Sequence, residues 1–405
     1  MDVIYTHCCG LDVHKKNVVA CAITPVEKEI RTFLTLTDDL ISLADWLKTK
    51  GCTHVAMEST ASYWKPIYNL LELEDIKTIV VNAKHIKNVP GRKTDVKDAE
   101  WIAGLLQHGL LQGNYIPSRD QRELRELIRY RRSMIDERAR EINRIQKVLE
   151  GATIKLSSVA TDVLGKSGRA MIEAMIQGQE NPETLSELAK GKLKNKKADL
   201  QKAMHGLMGN HQKLMLDAQL KHIDFLDDLI AKLDDEVKTR MLPFEEDLEL
   251  LDTIPGVGRR TAEQILAEAG PDMDQFPSAA HLCSWAGVAP GNNESAGKRK
   301  SGKVKKGNQK LRSALVEAAR AAARTKETYL SSQYHRIAAR RGANRAVLAV
   351  AHSILTIAYY ILKRRLPYIE LGPNYYEERK RHTVLKQSIK KLEALGYKVT
   401  VEEVA

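Results

Sequence analysis

The stretch YTHCCGLDVHKKNVVACAITPVEKEIRTFLTL, residues 5–36, decides how the chain begins to fold. It divides into three β-rich runs, Tyr5–Asp12, Asn17–Thr24 and Ile30–Leu36, rich in Val, Ile and Thr and bounded by turn residues. Working outward, Asp38–Lys48 reads as a helix that opens on an Asp. A fourth strand, His54–Glu58, a helix, Trp64–Leu73, and a fifth strand, Thr78–Val81, follow before a helix that starts near Asp95. Three strands in a meander, then alternating helices and strands, specify an α/β sheet with mixed strand directions.

Two of these strands end on acids. Asp12 closes the first and Glu58 the fourth, both in runs whose neighbours are set for burial. A carboxylate there is costly unless it is paired or binds metal. Asp95 and Asp98 are three residues apart on the following helix, so they share a face. Hard divalent cations such as Mg²⁺ or Mn²⁺ take oxygen ligands, and two-metal phosphoryl transfer needs carboxylates converging from separate elements. Helix capping would account for Asp95 alone, but it does not account for Glu58. His14, Lys15 and Lys16 stand where they could touch a phosphate, although a solvated strand end explains them equally.

The middle of the chain is helical. Ile128, Ile135, Ile142 and Leu149 recur every seven residues within Arg122–Glu150, with Leu124 and Ile145 at flanking positions. A second stretch repeats the pattern with Leu216, Ile223, Ile230 and Val237, and with Leu226 and Leu233 between them. Such heptads predict two arms of a coiled coil, within one chain or between chains, or else an ordinary bundle. Lys190–Lys197 is a basic link between the arms.

Further on, Ile254-Pro-Gly-Val-Gly-Arg-Arg-Thr-Ala precedes a helix. It is similar to the hairpin of helix-hairpin-helix modules, in which Gly256, Gly258 and Arg259 would meet a phosphate at a helix start. A tight inter-helix turn explains the same residues. The Gly- and Lys-rich loop Gly287–Gly307 carries Ser295 and, after it, Lys298, Arg299, Lys300, Lys303, Lys305 and Lys306 with no acid among them. Cations and glycines there suit a DNA backbone. Ser295 is then either a nucleophile or a hydrogen-bonding member of a clamp, and residue types alone favour the clamp. Further helices follow, and the residues from Leu385 onward suggest a short helix and a strand.

The net charge of +12, from 64 Lys+Arg against 52 Asp+Glu over 405 residues, favours a polyanionic partner. Five cysteines, with no CxxC pair and no leader-like start, point to a reducing cytoplasm and away from structural zinc. Adjacent Cys8 and Cys9 read as small buried residues. Ala346–Leu362 is at the short limit for a membrane span and contains His352, Ser353 and Thr356, so a buried core helix is expected.

With these residues in view, the chain resembles the IS110 family of DEDD insertion-sequence transposases, which are bridge-RNA-guided recombinases. The likeness runs nearly end to end. It rests on Gly10-Leu-Asp-Val-His, Met57-Glu-Ser-Thr, Lys93-Thr-Asp-Val-Lys-Asp-Ala, Ile254-Pro-Gly-Val-Gly, the loop Gly287–Asn308 and the stretch Tyr368–Tyr376. The resemblance implies an RNase H-like (RuvC-like) domain over 1–115, a coiled-coil region over 116–245 and an α-rich transposase domain over 246–405. It implies that Asp12, Glu58, Asp95 and Asp98 bind the metal and that Ser295 is the nucleophile, which reverses the reading from residue types. It also implies donor and target double-stranded DNA, a structured non-coding guide RNA, a dimer or tetramer in a prokaryotic cytoplasm, and no membrane. A metal-dependent hydrolytic nuclease and a non-enzymatic nucleic-acid scaffold are the alternatives.

Overall fold

The computed structural model describes residues 2–82, 98–291, 293–295, 298–301, 304, 306–379 and 381–400. The chain divides into two compact units, Met1–Arg119 and Asp120–Ala405.

In the first unit β1 (Cys8–Val13), β2 (Asn17–Ile23) and β3 (Lys28–Leu34) are followed by α1 (Thr37–Thr49), β4 (His54–Glu58), α2 (Trp64–Leu73), β5 (Lys77–Val81) and α3 (Asp98–Gln107). The five strands lie in the order β3-β2-β1-β4-β5. The first three pair antiparallel, as tight turns require, and β4 and β5 run parallel to β1 because a helix crosses over before each of them. The mixed sheet is the one expected from the sequence.

Strand alternation gives the sheet two faces. Cys9, Leu11, Val13, Val55 and Met57 point to one side, where they pack with Leu43 and Leu47 of α1 and Ile67 and Leu71 of α2. Cys8 and Ala56 point to the other, where they meet Ile102, Leu105 and Leu106 of α3. Asp38 and Asp39 in the first turn of α1, and Lys48 in its last, match the helix dipole.

Among its described residues, the second unit is helical apart from one hairpin. Its first helix, α4 (Arg119–Gly151), begins at the unit boundary; α5 (Leu156–Val159), α6 (Lys166–Ile176), α7 (Pro182–Glu187), α8 (Lys197–Met204) and α9 (Asn210–Met241) follow. Ion pairs fix α4 and α9 as antiparallel partners: Glu123 with Arg240 at 3.3 Å, Arg131 with Asp234 at 2.8 Å, Arg138 with Asp227, and Glu141 with His222 at 3.5 Å. The apolar repeat is interrupted here. Ile135, Ile142 and Leu233 are only half-buried, while the charged Arg131 and Glu141 are buried. At the far end, Ile145 and Leu149 of α4 and Leu216 and Leu220 of α9 share a core with Leu156, Met171, Leu185 and Leu200 from the short helices.

Beyond the arm come α10 (Glu245–Asp252), α11 (Arg259–Ala269), α12 (Ala279–Ala286), strands β6 (Asn293–Ser295) and β7 (Lys298–Ser301), α13 (Gln309–Ala322), α14 (Tyr329–Arg341), α15 (Ala343–Arg364), α16 (Tyr375–Glu378) and α17 (Arg381–Ala394). Helix α15 is long and apolar enough to cross a membrane by composition. In the fold it is a core helix: α10, α12, α13 and α14 pack around it, and Val350, Ala351, Ile354, Leu355 and Ala358 are fully buried. The tail departs from expectation. Its helix starts at Arg381, ahead of Leu385, and residues 395–400 form a turn and irregular chain, not a strand.

Candidate active site

The acids at the strand ends share one face of the sheet. Asp12 has the same parity as Cys8 and Gly10 on β1, and Glu58 has that of Ala56 on β4. Leu11 pairs with Met57 across the parallel ladder, so Asp12 and Glu58 occupy the next step at the carboxyl ends of adjacent strands. Helix α3 covers that face, and Gly10 lets it come close. A Cβ at Gly10 would sit 2.3 Å from both the Ala99 carbonyl oxygen and the Ala103 amide nitrogen. Ala99 follows Asp98, so this contact fixes the start of α3, and hence Asp98, against the strand that carries Asp12.

The side chains at this end are partly open to solvent. Asp12 Oδ2 lies 3.1 Å from His14 Nε2, which assigns His14 a partner two residues from the acid. The Thr60 hydroxyl donates to Glu58 Oε1 at 3.4 Å, and the Thr60 amide donates to the Glu58 carbonyl at 2.8 Å, so the chain turns sharply after the strand. Asp95 lies outside the described residues. Among the described residues, no three or more His, Cys, Asp or Glu side chains are gathered closely enough to hold an ion.

The nearby thiols are excluded from this chemistry. Cys8, Cys9, Cys21 and Cys52 are buried and unpaired as disulfides. Burial pushes Cys8 up to about 12 and Cys21 and Cys52 up to about 11. They remain neutral thiols, poor as nucleophiles and as metal ligands.

In the second unit the turn Ile254–Gly258 joins α10 to α11. Its glycines do different work. Gly256 has φ of +85°, and a Cβ there would lie 2.4 Å from the Ala318 carbonyl oxygen of α13, so this residue serves helix packing. Gly258 precedes α11 with nothing within 4 Å of its Cβ position. Arg259 is held by Glu245 at 2.5 and 2.8 Å and by Glu263 at 3.3 Å.

Ser295 ends β6, and its backbone pairs with Lys298 at the start of β7. The basic stretch is therefore a hairpin where the sequence suggested a loop. Arg299 and Lys300 lie on β7, Lys306 is exposed beyond it, and Lys303 and Lys305 lie outside the described residues.

The hairpin's base is fastened by residues that sequence reasoning passed over. A Cβ at Gly307 would meet the Gly287 nitrogen at 2.4 Å and the Trp285 carbonyl oxygen at 2.5 Å, so the two ends of the segment press backbone on backbone. Asn308 caps α13 by accepting from the Leu311 amide at 3.2 Å, and its Nδ2 donates to Glu268 Oε2 at 2.6 Å. Glu268 has no exposed surface. It also accepts two 2.7 Å bonds from Arg129 and one of 3.0 Å from Gln264. Gln121 and Arg125 donate to the Leu266, Ala267 and Glu268 carbonyls, satisfying the open end of α11. Thus the base of the serine hairpin is clamped to α11 and through it to α4. A Gly inside an apolar strand signals close backbone approach and could have singled out Gly10; nothing local marks Glu268.

A five-stranded sheet with carboxylates toward its strand ends, and a basic hairpin carrying a serine, place this chain among candidate DNA-modifying proteins. Residues 9–154 match the DEDD transposase profile of the IS110 group, and residues 248–335 match a profile described as "Transposase IS116/IS110/IS902 family". The chain is 25% identical over 364 residues to the transposase for insertion sequence element IS1111A of Coxiella burnetii, covering 89% of this chain and 90% of that one. It is 30% identical over 122 residues to the pilin gene-inverting proteins of Moraxella bovis and Moraxella lacunata, covering 29% of this chain and 38% of each of those. The chain belongs to the IS110 family of insertion-sequence transposases.

Proposed function

We propose that this transposase cuts and rejoins double-stranded DNA through Ser295, with a divalent metal at Asp12, Glu58, Asp95 and Asp98. The observation that carries the reading is the placement of Asp12 and Glu58 at the ends of adjacent parallel strands, under a helix whose start is fixed by Gly10. The strand order β3-β2-β1-β4-β5, antiparallel then parallel, supports an RNase H-like (RuvC-like) assignment for residues 1–115. Residues 116–245 are then a coiled-coil-like arm and residues 246–405 the transposase domain.

Carboxylates at a polar sheet edge are the donor set for Mg²⁺ or Mn²⁺, and the neutral thiols beside them are not. When bound, the metal would supply Lewis-acid polarisation of phosphate oxygens. Ser295 Oγ attacks the phosphorus, loses its proton to solvent or a base, and forms the phosphoserine ester. The bond to the leaving deoxyribose oxygen breaks, and that oxygen takes up a proton. A deoxyribose hydroxyl of the exchanged strand then attacks the ester, and Ser295 leaves with its proton restored. Bond count is conserved, so no nucleotide cofactor is needed.

The partners follow from the same reading: donor and target DNA, a structured guide RNA that reads sequence by pairing, and a homo-oligomer. The test incubates labelled duplex DNA with copurified nucleic acid, Mg²⁺ and the wild-type, Ser295→Ala or Asp12→Asn protein, and resolves it under denaturing conditions. A covalent adduct lost in both variants is expected. Cleavage that survives Ser295→Ala but not Asp12→Asn would establish the hydrolytic nuclease in its place.

A further inference from the structure

The far end of the α4–α9 arm carries a basic trough that the chemistry above does not use. Two adjoining concavities, of about 490 and 380 Å³, share Val159 and Lys196. The first is lined by the turn 159–168 and the link 190–196, with Lys166, Lys190, Lys192 and Lys196 at its margin. The second adds Lys155 and Lys202. All six lysines are exposed. Lys155 pairs with Glu150, and Lys196 Nζ reaches the Val159 carbonyl at 3.5 Å. Among the described residues, Lys166, Lys190, Lys192 and Lys202 make no ion pair, although most other cations of the arm do.

The trough is built, not a chance gathering of mobile side chains. The Lys190 amide donates to the buried Ser167 hydroxyl at 2.8 Å, pinning the basic link to the start of α6. A Cβ at Gly168 would lie 2.2 Å from the Val163 carbonyl oxygen, so the turn 159–168 closes tightly on the start of α6. Of the acids in the lining, Asp162 is engaged by the Leu164 amide at 3.0 Å. Asp199 is the second acid, beside Lys202 in the other concavity, so six lysines face two carboxylates. The walls are otherwise Ser, Thr, Gly and aliphatic residues, and among the described residues no aromatic side chain lines either concavity.

Single strands are held by aromatic stacking along a basic groove. Cations with small polar residues and no stacking platform instead suit a paired helix read through its phosphates. We propose that this trough binds the sugar-phosphate backbone of a nucleic-acid duplex, away from the reacting strands. The proposal rests on the nucleic-acid reading above.

The test uses the full-length protein and a 30-base-pair duplex, as DNA or as RNA, with binding measured from about 50 to 300 mM salt. Each phosphate contact contributes about 0.9 to the slope of log affinity against log salt concentration on B-DNA. Lys166→Gln/Lys190→Gln/Lys192→Gln is expected to reduce that slope by about 2 to 3 and to weaken binding at least tenfold. Lys166→Arg/Lys190→Arg/Lys192→Arg should keep both, which separates charge from folding. Loss confined to the DNA arm assigns a DNA duplex, loss confined to the RNA arm an RNA duplex, and each supports the proposal. An unchanged slope in both arms, with wild-type binding intact, overturns the trough alone. A wild-type protein that binds neither duplex overturns the nucleic-acid reading and the trough with it.

Discussion

Arg129→Met should loosen the base of the serine hairpin. Glu268 is a carboxylate with no exposed surface, and Arg129 supplies two of its 2.7 Å bonds. Removing one partner of a buried pair costs about 3–5 kcal/mol, because the other charge is left uncompensated. Here Asn308 at 2.6 Å and Gln264 at 3.0 Å still donate, Arg125 Nε is 3.4 Å away, and Arg129 itself is 38% exposed. These place the expected cost at the low end, about 3 kcal/mol. In hydrogen exchange of peptides covering α11 and the start of α13, that is a fall in protection of about 150-fold. Arg129→Met/Glu268→Gln removes the orphaned charge while keeping an acceptor for Asn308, and should return to within about 1 kcal/mol of wild type. A single variant that changes protection less than fivefold, or a double variant no better than the single, would refute the idea that Glu268 is held against its own burial by these donors.

Gly10→Ala should displace α3, since the new methyl would meet its backbone at 2.3 Å; the expected result is a folded protein with DNA cleavage reduced at least tenfold, read beside circular dichroism. Gly307→Ala would drive a methyl against Gly287 and Trp285 and should abolish adduct formation while leaving thermal unfolding of the first unit in place. Gly256→Ala combines a positive φ with a 2.4 Å clash on α13 and should lower the melting temperature of the second unit, by about 2–3 kcal/mol in stability terms. The thiols give a pH test. Their folded values, about 11 to 12 for Cys8, Cys21 and Cys52, lie above the unfolded value near 9. The stability they contribute is therefore fully present below pH 9 and is lost as pH rises from 9 through 11–12. Cys21→Ala should flatten that decline, and a thiol reagent at pH 8 should label none of the five cysteines until the chain unfolds.

Much of the first unit was readable because local signals and tertiary environment agree there. The apolar alternation of Cys9, Leu11 and Val13 is also the pattern of the buried face, so strands and sheet side came together. The acids were conspicuous for the same reason: Asp12 and Glu58 break runs that are otherwise committed to burial. The arm was legible in outline only. Ile135 and Ile142 keep the heptad yet are half-exposed, because Arg131 and Glu141 enter the seam to reach Asp234, Glu263 and Arg144. A repeat in sequence cannot foretell charges recruited by partners a hundred residues away. The hairpin β6–β7 was hidden by its lysines and glycines, which are depleted in strands, and its pairing is a backbone event. Glu268 was invisible because all that distinguishes it is contact with Arg129 and Asn308, 139 and 40 residues distant.

The antiparallel course of α4 and α9 also bears on how such a protein changes over time. Glu123 meets Arg240 near the root and Glu141 meets His222 farther out, so the chain leaves and returns along the same line. Whatever lies between residues 151 and 210 hangs from two neighbouring points. Closing a segment of any length between adjacent ends costs little more as it grows, about 0.6 kcal/mol for each doubling. The arm therefore acts as a graft stock: its distal module can be enlarged, trimmed or exchanged while the paired stems, and everything rooted in them, keep their register.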